Sequence, residues 1–591
     1  MILQSLNDYY GRLSKENKVP DIGFSYERVR FLFILNNGGK LLQIVPLLSE
    51  EGGKERSRLL EIPYTNEVNV RASNIQPNYL VDKAAYVLGI DQETKTDRLK
   101  ESHNAYKKLF LDVTKDIEDN GAEAVRLFLE NPQQAQALPN FEEIIKENTG
   151  FIAFRLDGEL RFIHERPAVR NAWINYLVNR TEKGENYFAT CLVTGEKGKI
   201  QRLHAQFKGI RGGQTSGKSL VSFNKTAFAS YGKESSFNAP VGVKAEFRSS
   251  TALKYLLNND RQKIQGVGDA TTVFWAESDT PLESYLESIW GKGVADDSTA
   301  EDNSSLVDIR NFLEAARDGK KLPKIENPDA KFYILGLSPN AARLSVRFWH
   351  VSTVEDVSYK IGQHFRDLSI IRSYDADPEY PSMWQLLRET AVQKKTENTS
   401  HVLAGVMIRS ILTGAVYSES LLSAIINRIR AEQSSKNKNG KSIQNVNYIR
   451  AAIIKACLNR KYRINNKPME VTMALNKDET NSAYRLGRLF AVLEKAQKDA
   501  IPGANTTIKD RYYGSASATP KTVFPQLIRL AQYHIQKAEY GRKLDKNVED
   551  IMCGIKEFPA HLSLDEQGLF ALGYYHQRFD LYSKPTEKKE E

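Results

Sequence analysis

The chain has 591 residues and a formal net charge of +10, a length that allows roughly three or four domains of ~150 residues each. With 41% hydrophobic and 26% charged residues it has the make-up of a folded soluble chain, which excludes bulk disorder. The positive balance favours a polyanionic partner without choosing among DNA, RNA and lipid headgroups.

In chain order, Ile2, Leu3, Leu6, Tyr9, Tyr10 and Leu13 recur at spacings of three and four, so residues 1–13 are expected to form an amphipathic helix. A hairpin follows, with strands at 29–35 and 40–45 around Asn36, Asn37, Gly38 and Gly39. Residues 51–82 read as loop-rich and carry Arg71, Asn74 and Gln76. Asn74 and Gln76 are candidates for base edges, although for Asn74 a turn residue bonding its own backbone is the slightly favoured reading. Helices are expected over 83–89 and 101–148. A second hairpin is expected from strands at 151–156 and 159–163 around Asp157 and Gly158, and Pro167 sits at the first turn of the next helix.

A strand over 187–193 delivers the chain into its most ambiguous stretch. Residues 212–219 fit G-x-x-x-x-G-K-[ST], the phosphate-cradling loop of nucleotide hydrolases, with Lys218 in the lysine position. That loop needs an apolar strand before it and a helix N-terminus after it. Here 197–208 is polar and 220–223 reads as a strand. Between Gly195 and Ser219 lie six cations, Lys197, Lys199, Arg202, Lys208, Arg211 and Lys218, against the single acid Glu196. Three readings stay open: a glycine-rich basic loop following a phosphate backbone with Gln214 offered to bases, a solvated loop, and a nucleotide-binding loop. The third would recruit Glu277, at the end of an apolar strand over 271–277, as its acid; a plain core strand is the alternative.

Residues 291–305 hold too little apolar surface to pack and read as a linker. Strands at 331–337 and 343–349 then flank Ser338, Pro339 and Asn340. A capping box from Ser352 to Glu355 opens a helix with Val354, Val357, Ile361, Phe365 and Leu368 on one face. Beyond about 380 only helical periods remain. Residues 428–467 carry eleven Lys/Arg (428, 430, 436, 438, 441, 450, 455, 460, 461, 463, 467) and one acid, Glu432, a bias that suggests phosphate contact. The pattern breaks at 469–474, and 479–582 reads as a bundle of four or five helices ending in a capping box at Ser563 to Glu566. The pairs Tyr512-Tyr513 and Tyr574-Tyr575 are read as bundle core, with base stacking as the alternative. The fold class is α+β and multidomain, with expected boundaries at 1–290, a linker at 291–305, 306–378, a basic helical region at 379–468 and a helical bundle at 469–591.

No catalytic constellation emerges. The nine histidines are scattered, no G-x-S-x-G elbow appears, and Asp318-Gly319-Lys320 closes a helix instead of lying on a nuclease strand. Cys191, Cys457 and Cys553 are too few and too far apart for a disulfide framework or a C-x-x-C metal site, so no metal or cofactor is expected and a reducing cytoplasm fits. No signal peptide opens the chain. Residues 401–416, the most apolar helical stretch, are interrupted by Arg409 and fall well short of the ~20 needed to cross a bilayer, so no membrane partner is expected.

The runs MILQSLNDYY at 1–10, NYLVDKAAYVLG at 78–89, CLVTG at 191–195, FYILGLSPNAARLSVRFW at 332–349 and DRYYGSASATP at 510–520 closely resemble the large subunit of the type I-C CRISPR Cascade, a Csd-type protein, and the match spans essentially the whole chain. The resemblance implies a non-catalytic subunit of a crRNA-guided surveillance complex. Such a subunit reads the short motif (PAM) beside the target in duplex DNA, helps open it, and stabilises the R-loop for a recruited helicase-nuclease. Its implied partners are crRNA, double-stranded target DNA, the backbone, crRNA-processing and small subunits, and that nuclease. In the PAM role the candidates are Asn74 and Gln76 at base edges, with Arg71, Lys199, Arg202, Lys208, Arg211, Gln214 and Lys218 along the duplex. The resemblance also implies that the C-terminal helical part is made separately as the small subunit, from an internal start at Met469 or Met473.

Overall fold

The computed structural model describes the chain except for residues 52–53, 65–74, 91–95, 147–149, 180–186, 214–216, 224, 265–269, 291–302, 322–324, 342, 396–397, 436–442 and 584–591. It divides into two compact units, Met1–Asn258 with Pro339–Ser345, and Asn259–Ser338 with Val346–Glu591.

In the first unit the longest strand is also the centre of a sheet. Strand β1 (Phe24–Leu35) pairs antiparallel with β2 (Leu41–Pro46) across the expected Asn-Gly turn. Beyond them run β3 (Leu48–Glu51), β4 (Lys54–Pro63), β5 (Asp82–Lys83) and β6 (Phe151–Leu156), in the order β3-β4-β1-β6-β5. Residues 31–35 of β1 are all buried, as a strand covered on both faces requires. Phe33 meets Phe128 and Phe154 edge-on at 5.8 Å each.

Two expectations fail in this sheet. Residues 51–82 are not all loop, because β4 pairs with β1 from Phe24↔Pro63 to Val29↔Arg58; its apolar residues are too interrupted by Lys54, Arg56 and Arg58 to announce a strand. The second hairpin does not form. Both edges of β6 are engaged, by β1 in parallel and by β5, so 159–163 contributes a single bridge, Arg155↔Phe162, before a 3₁₀ turn over Ile163–Glu165.

Helices α1 (Ile2–Lys15), α2 (Ala84–Val87), α3 (Thr96–Thr114), α4 (Asn120–Phe128), α5 (Phe141–Lys146) and α6 (Pro167–Asn179) belong to this unit. The unit continues through the short strands β7 (Phe188–Thr190), β8 (Lys197–Lys199), β9 (Gln206–Phe207) and β10 (Lys218–Ser219) to helix α7 (Val243–Asn258). The expected helix at 1–13 is α1, and it packs on α7, with Tyr10 against Phe247 at 5.9 Å and the Ser249 hydroxyl donating to the Leu3 carbonyl.

The second unit opens with β11 (Lys263–Ile264) and β12 (Thr271–Ala276), followed by α8 (Leu282–Trp290) and α9 (Asn303–Asp318). Most of the expected linker lies outside the described residues, but α9 begins at Asn303, so its last three residues are helical. All six residues of β12 are buried, and Glu277 beyond it is exposed and accepts from the Lys331 amide. Strands β13 (Lys331–Asn340) and β14 (Arg343–Thr353) lead to α10 (Val354–Leu368), whose five predicted apolar residues are all buried. The cap is one residue later than the sequence suggests. Thr353, not Ser352, accepts from the Asp356 amide, while the Ser352 hydroxyl bonds the Asp356 carboxylate.

The rest is helical: α11 (Met383–Arg388), α12 (His401–Thr413), α13 (Glu419–Ala431), α14 (Tyr448–Ile464), α15 (Ser482–Ala500), α16 (Ile508–Ala516), α17 (Pro520–Lys537), α18 (Gly541–Met552) and α19 (Leu564–Tyr582). Helices α15 and α19 cross at two glycines. A Cβ on Gly487 would lie 2.0 Å from the Phe570 carbonyl oxygen, and one on Gly573 would lie 2.0 Å from that of Tyr484. The Ser563–Glu566 capping box forms as expected. Tyr513, Tyr574 and Tyr575 are buried, Tyr513 and Tyr574 at 5.4 Å from each other, which settles these three as core. No helix among the described residues is long and apolar enough to cross a membrane.

Candidate nucleic-acid interface

The basic stretch is a frame of short strands instead of one loop. Strands β7 and β8 pair from Phe188↔Lys199 to Thr190↔Lys197 around the turn 191–196. Cys191 fastens this hairpin to the entry of α7. Its Sγ accepts from the Gly242 amide at 3.2 Å and the Val193 amide at 3.4 Å. Burial alone would push the thiol up, but the donors from Gly242, Thr194 and Val193 outweigh it and hold the thiol below its ordinary value. The amides of Leu192 and Gln201 donate to the carbonyls of Pro240 and Val241.

Past β8 the chain dips inward at His204 and Ala205, and the buried Glu246 of α7 accepts from the Ala205 amide at 2.8 Å. Burial pushes the Glu246 carboxyl above its ordinary value, and it pushes His204 down to about 4. Strands β9 and β10 then pair, Lys218 opposite Phe207 and Ser219 opposite Gln206, and Ser219 also aligns in parallel with Arg343. The excursion between them is pinned by Ile210, which is buried, and bends at Gly209, Gly212 and Gly217, all with positive φ.

This frame sorts the cations. Lys197, Arg202, Lys208 and Arg211 are exposed and Lys199 is half-buried. Lys218 points inward, only 5% exposed, and its Nζ donates to the Ala341 carbonyl. The nucleotide-loop reading therefore loses both its lysine and its helix. Residues 218–219 are strand and the expected strand at 220–223 does not form, because pairing with β9 ends at Ser219. Gln76 is half-buried in another part of the unit, on the approach to β5, its backbone N–H donating to the Tyr86 hydroxyl. Arg71, Asn74 and Gln214 lie outside the described residues.

In the second basic region, 428–467, Arg430 and Lys467 are exposed, but most cations of α14 turn to acids of the fold. Arg450 is 1% exposed and pairs with Glu389 at 2.9 Å and Glu432 at 2.7 Å. Arg460, fully buried, pairs with Asp367 at 2.9 Å and lies over the Tyr417 ring. Arg463 donates twice to the same Asp367, and Lys461 pairs with Asp565 and Glu419. Lys455 is buried too, its Nζ donating to the Asp367 carbonyl, and burial pushes it down to about 8. Arg450, Lys455 and Arg460 are buried and committed to the fold, which corrects the expectation of phosphate contact for them, whereas Lys461 and Arg463 are ion-paired at the surface; Lys436, Lys438 and Lys441 lie outside the described residues.

The first basic stretch runs on beyond Ser219. From Lys197 to Lys233 there are eight Lys/Arg and not one Asp or Glu, so Lys225 and Lys233 extend it, a signal the sequence carried. Glu246 and Arg343, which complete the frame, are distant in sequence and carried no such signal. Among the described residues no group of three or more His, Cys, Asp or Glu could hold a metal.

The family model described as CRISPR-associated protein (Cas_Csd1) matches residues 6–582. No curated protein matches.

Proposed function

Because the chain belongs to the Cas_Csd1 family of CRISPR-associated proteins, the large subunits of type I-C Cascade, we propose that its first unit grips target duplex DNA and reads the short motif beside the base-paired region. The observation that carries this reading is the outward set Lys197, Arg202, Lys208 and Arg211 on a frame closed from within by Glu246, Cys191 and Lys218. Cations on a braced backbone neutralise phosphates and release counterions. Base pairing with crRNA then reads the target, while the protein reads only the flanking motif and stabilises the opened strands for a recruited helicase-nuclease.

In this reading Lys197, Lys199, Arg202, Lys208 and Arg211 contact phosphates, Gln76 offers its side-chain amide to a base edge, and Lys218 braces the frame. Arg71, Asn74 and Gln214 remain candidates on sequence grounds. The helical bundle α15–α19 plays the small-subunit part, produced also from a start at Met469 or Met473; both precede α15, so a product from either keeps the five helices intact. A co-purified short product whose mass places its start elsewhere removes this claim.

The deciding experiment is a binding titration of the assembled complex on targets identical except beside the paired region. Affinity should depend on that motif, and alanine at Arg202, Lys208 or Arg211 should each reduce the salt slope by about one. Motif discrimination and slope that both survive these substitutions would overturn the reading.

A further inference from the structure

Residues 230–233 form a tight turn with an aromatic ring at its tip. Ser230 and Lys233 make an isolated antiparallel bridge, the Lys233 amide donating to the Ser230 carbonyl at 3.0 Å. The two residues between them both have positive φ, Tyr231 at 52° and Gly232 at 69°, the mark of a type I′ turn. Asparagine and glycine suit that turn; a bulky residue in the left-handed region is disfavoured. The tyrosine is nonetheless held there. Asn238 accepts from the Ser230 amide at 2.8 Å and donates to the carbonyls of Lys233 at 2.9 Å and Ser235 at 3.0 Å.

The ring itself packs on almost nothing, being 97% exposed. A strained, braced backbone that carries a bare aromatic gains nothing for its own stability. Its setting is basic on the N-terminal side, with the exposed Glu234 just beyond the turn. It closes the acid-free run from Lys197 to Lys233, Lys225 is exposed nearby in sequence, and the Arg343 guanidinium covers the Phe228 ring at 4.4 Å.

We propose that Tyr231 is a stacking platform for an unpaired nucleobase, set beside the phosphate-gripping frame; this rests on the duplex-binding reading above. A tyrosine face stacks on any base without reading its identity, and a base exposes its face only where the strands part. The Asn238 clamp fixes the turn in advance, so little backbone freedom is lost when a base docks. The flanking cations hold the strand whose base is offered.

The test uses the assembled complex with the full chain and DNA targets carrying 2-aminopurine at successive positions across the junction between duplex and unpaired strand. Tyr231→Asn removes the ring while suiting the turn, and Tyr231→Phe keeps the ring. Wild type and Tyr231→Phe should quench the probe at one position. Tyr231→Asn should abolish that quenching and weaken binding about tenfold, with the salt slope unchanged.

If Tyr231→Asn quenches and binds as wild type does, the proposal falls. It also falls if this variant impairs subunit assembly while complexes that do form bind DNA normally, since the ring would then face a protein. The parent reading is scored separately. Motif discrimination and salt slopes that ignore Arg202 and Lys208, alongside quenching that still needs the ring, would sink the grip and leave the stacking. The reverse pattern would sink the stacking alone.

Discussion

Residues 195–219 and 428–467 look alike as sequence, each a run of cations almost without acids, yet the fold buries three cations of the second in helix α14 and one, Lys218, of the first. In the first, a frame of two- and three-residue strands holds most cations outward. In the second, α14 runs through the core, where Arg450, Arg460 and Lys455 are buried on Glu389, Glu432, Asp367 and a backbone carbonyl, and Lys461 and Arg463 pair with Glu419, Asp565 and Asp367 nearer the surface. A local shortage of acids therefore measures only which partners are absent nearby in sequence. Whether a cation is available depends on whether its element is core or rim.

The contrast can be broken first at Arg460. Arg460→Ala empties a buried site and leaves Asp367 with Arg463 as its remaining ion-pair partner, so it should cost about 3 kcal/mol in denaturant unfolding, the low end of the range for breaking a buried pair. A loss below ~1 kcal/mol would mean this region is not the committed one.

Acid should come next. Burial holds His164 and His204 down to about 4 and His576 to about 3. Depressed folded values mean full stability above the ordinary histidine value near 6.5, lost progressively as pH falls toward 4, by on the order of 2–3 kcal/mol per group. Melting temperature should thus drop steeply over that window, and less steeply in His204→Leu.

Lys218→Ala separates the two kinds of cation within the first region. It leaves the Ala341 carbonyl without its donor and should cost about 1–3 kcal/mol while the DNA salt slope stays put. ATP should neither raise the melting temperature nor be hydrolysed; hydrolysis lost in this variant would restore the nucleotide reading. The smallest stability effect belongs to Lys208→Ala, within ~0.5 kcal/mol of wild type, with the salt slope reduced by about one.

Much of the candidate site was legible as composition: the glycine bends, the cations and the missing acids. The sorting of those cations was not. Lys218 faces a carbonyl 123 residues away, and the Ala205 amide meets an acid 41 residues on. The lost hairpin at 159–163 has the same origin, since its turn signal was sound but β6 had already given its edges to β1 and β5.

By itself the sequence determined the features whose signals span a few residues: the hairpin after residue 29, the apolar face of α10, the Ser563 cap, the closing helical bundle and the family likeness. Tertiary structure alone decided which charges remain outside. Periodicity, turns and caps act over one or two turns of chain, whereas an ion pair such as Arg460 with Asp367 joins residues 93 apart and exists only once the core has closed around both.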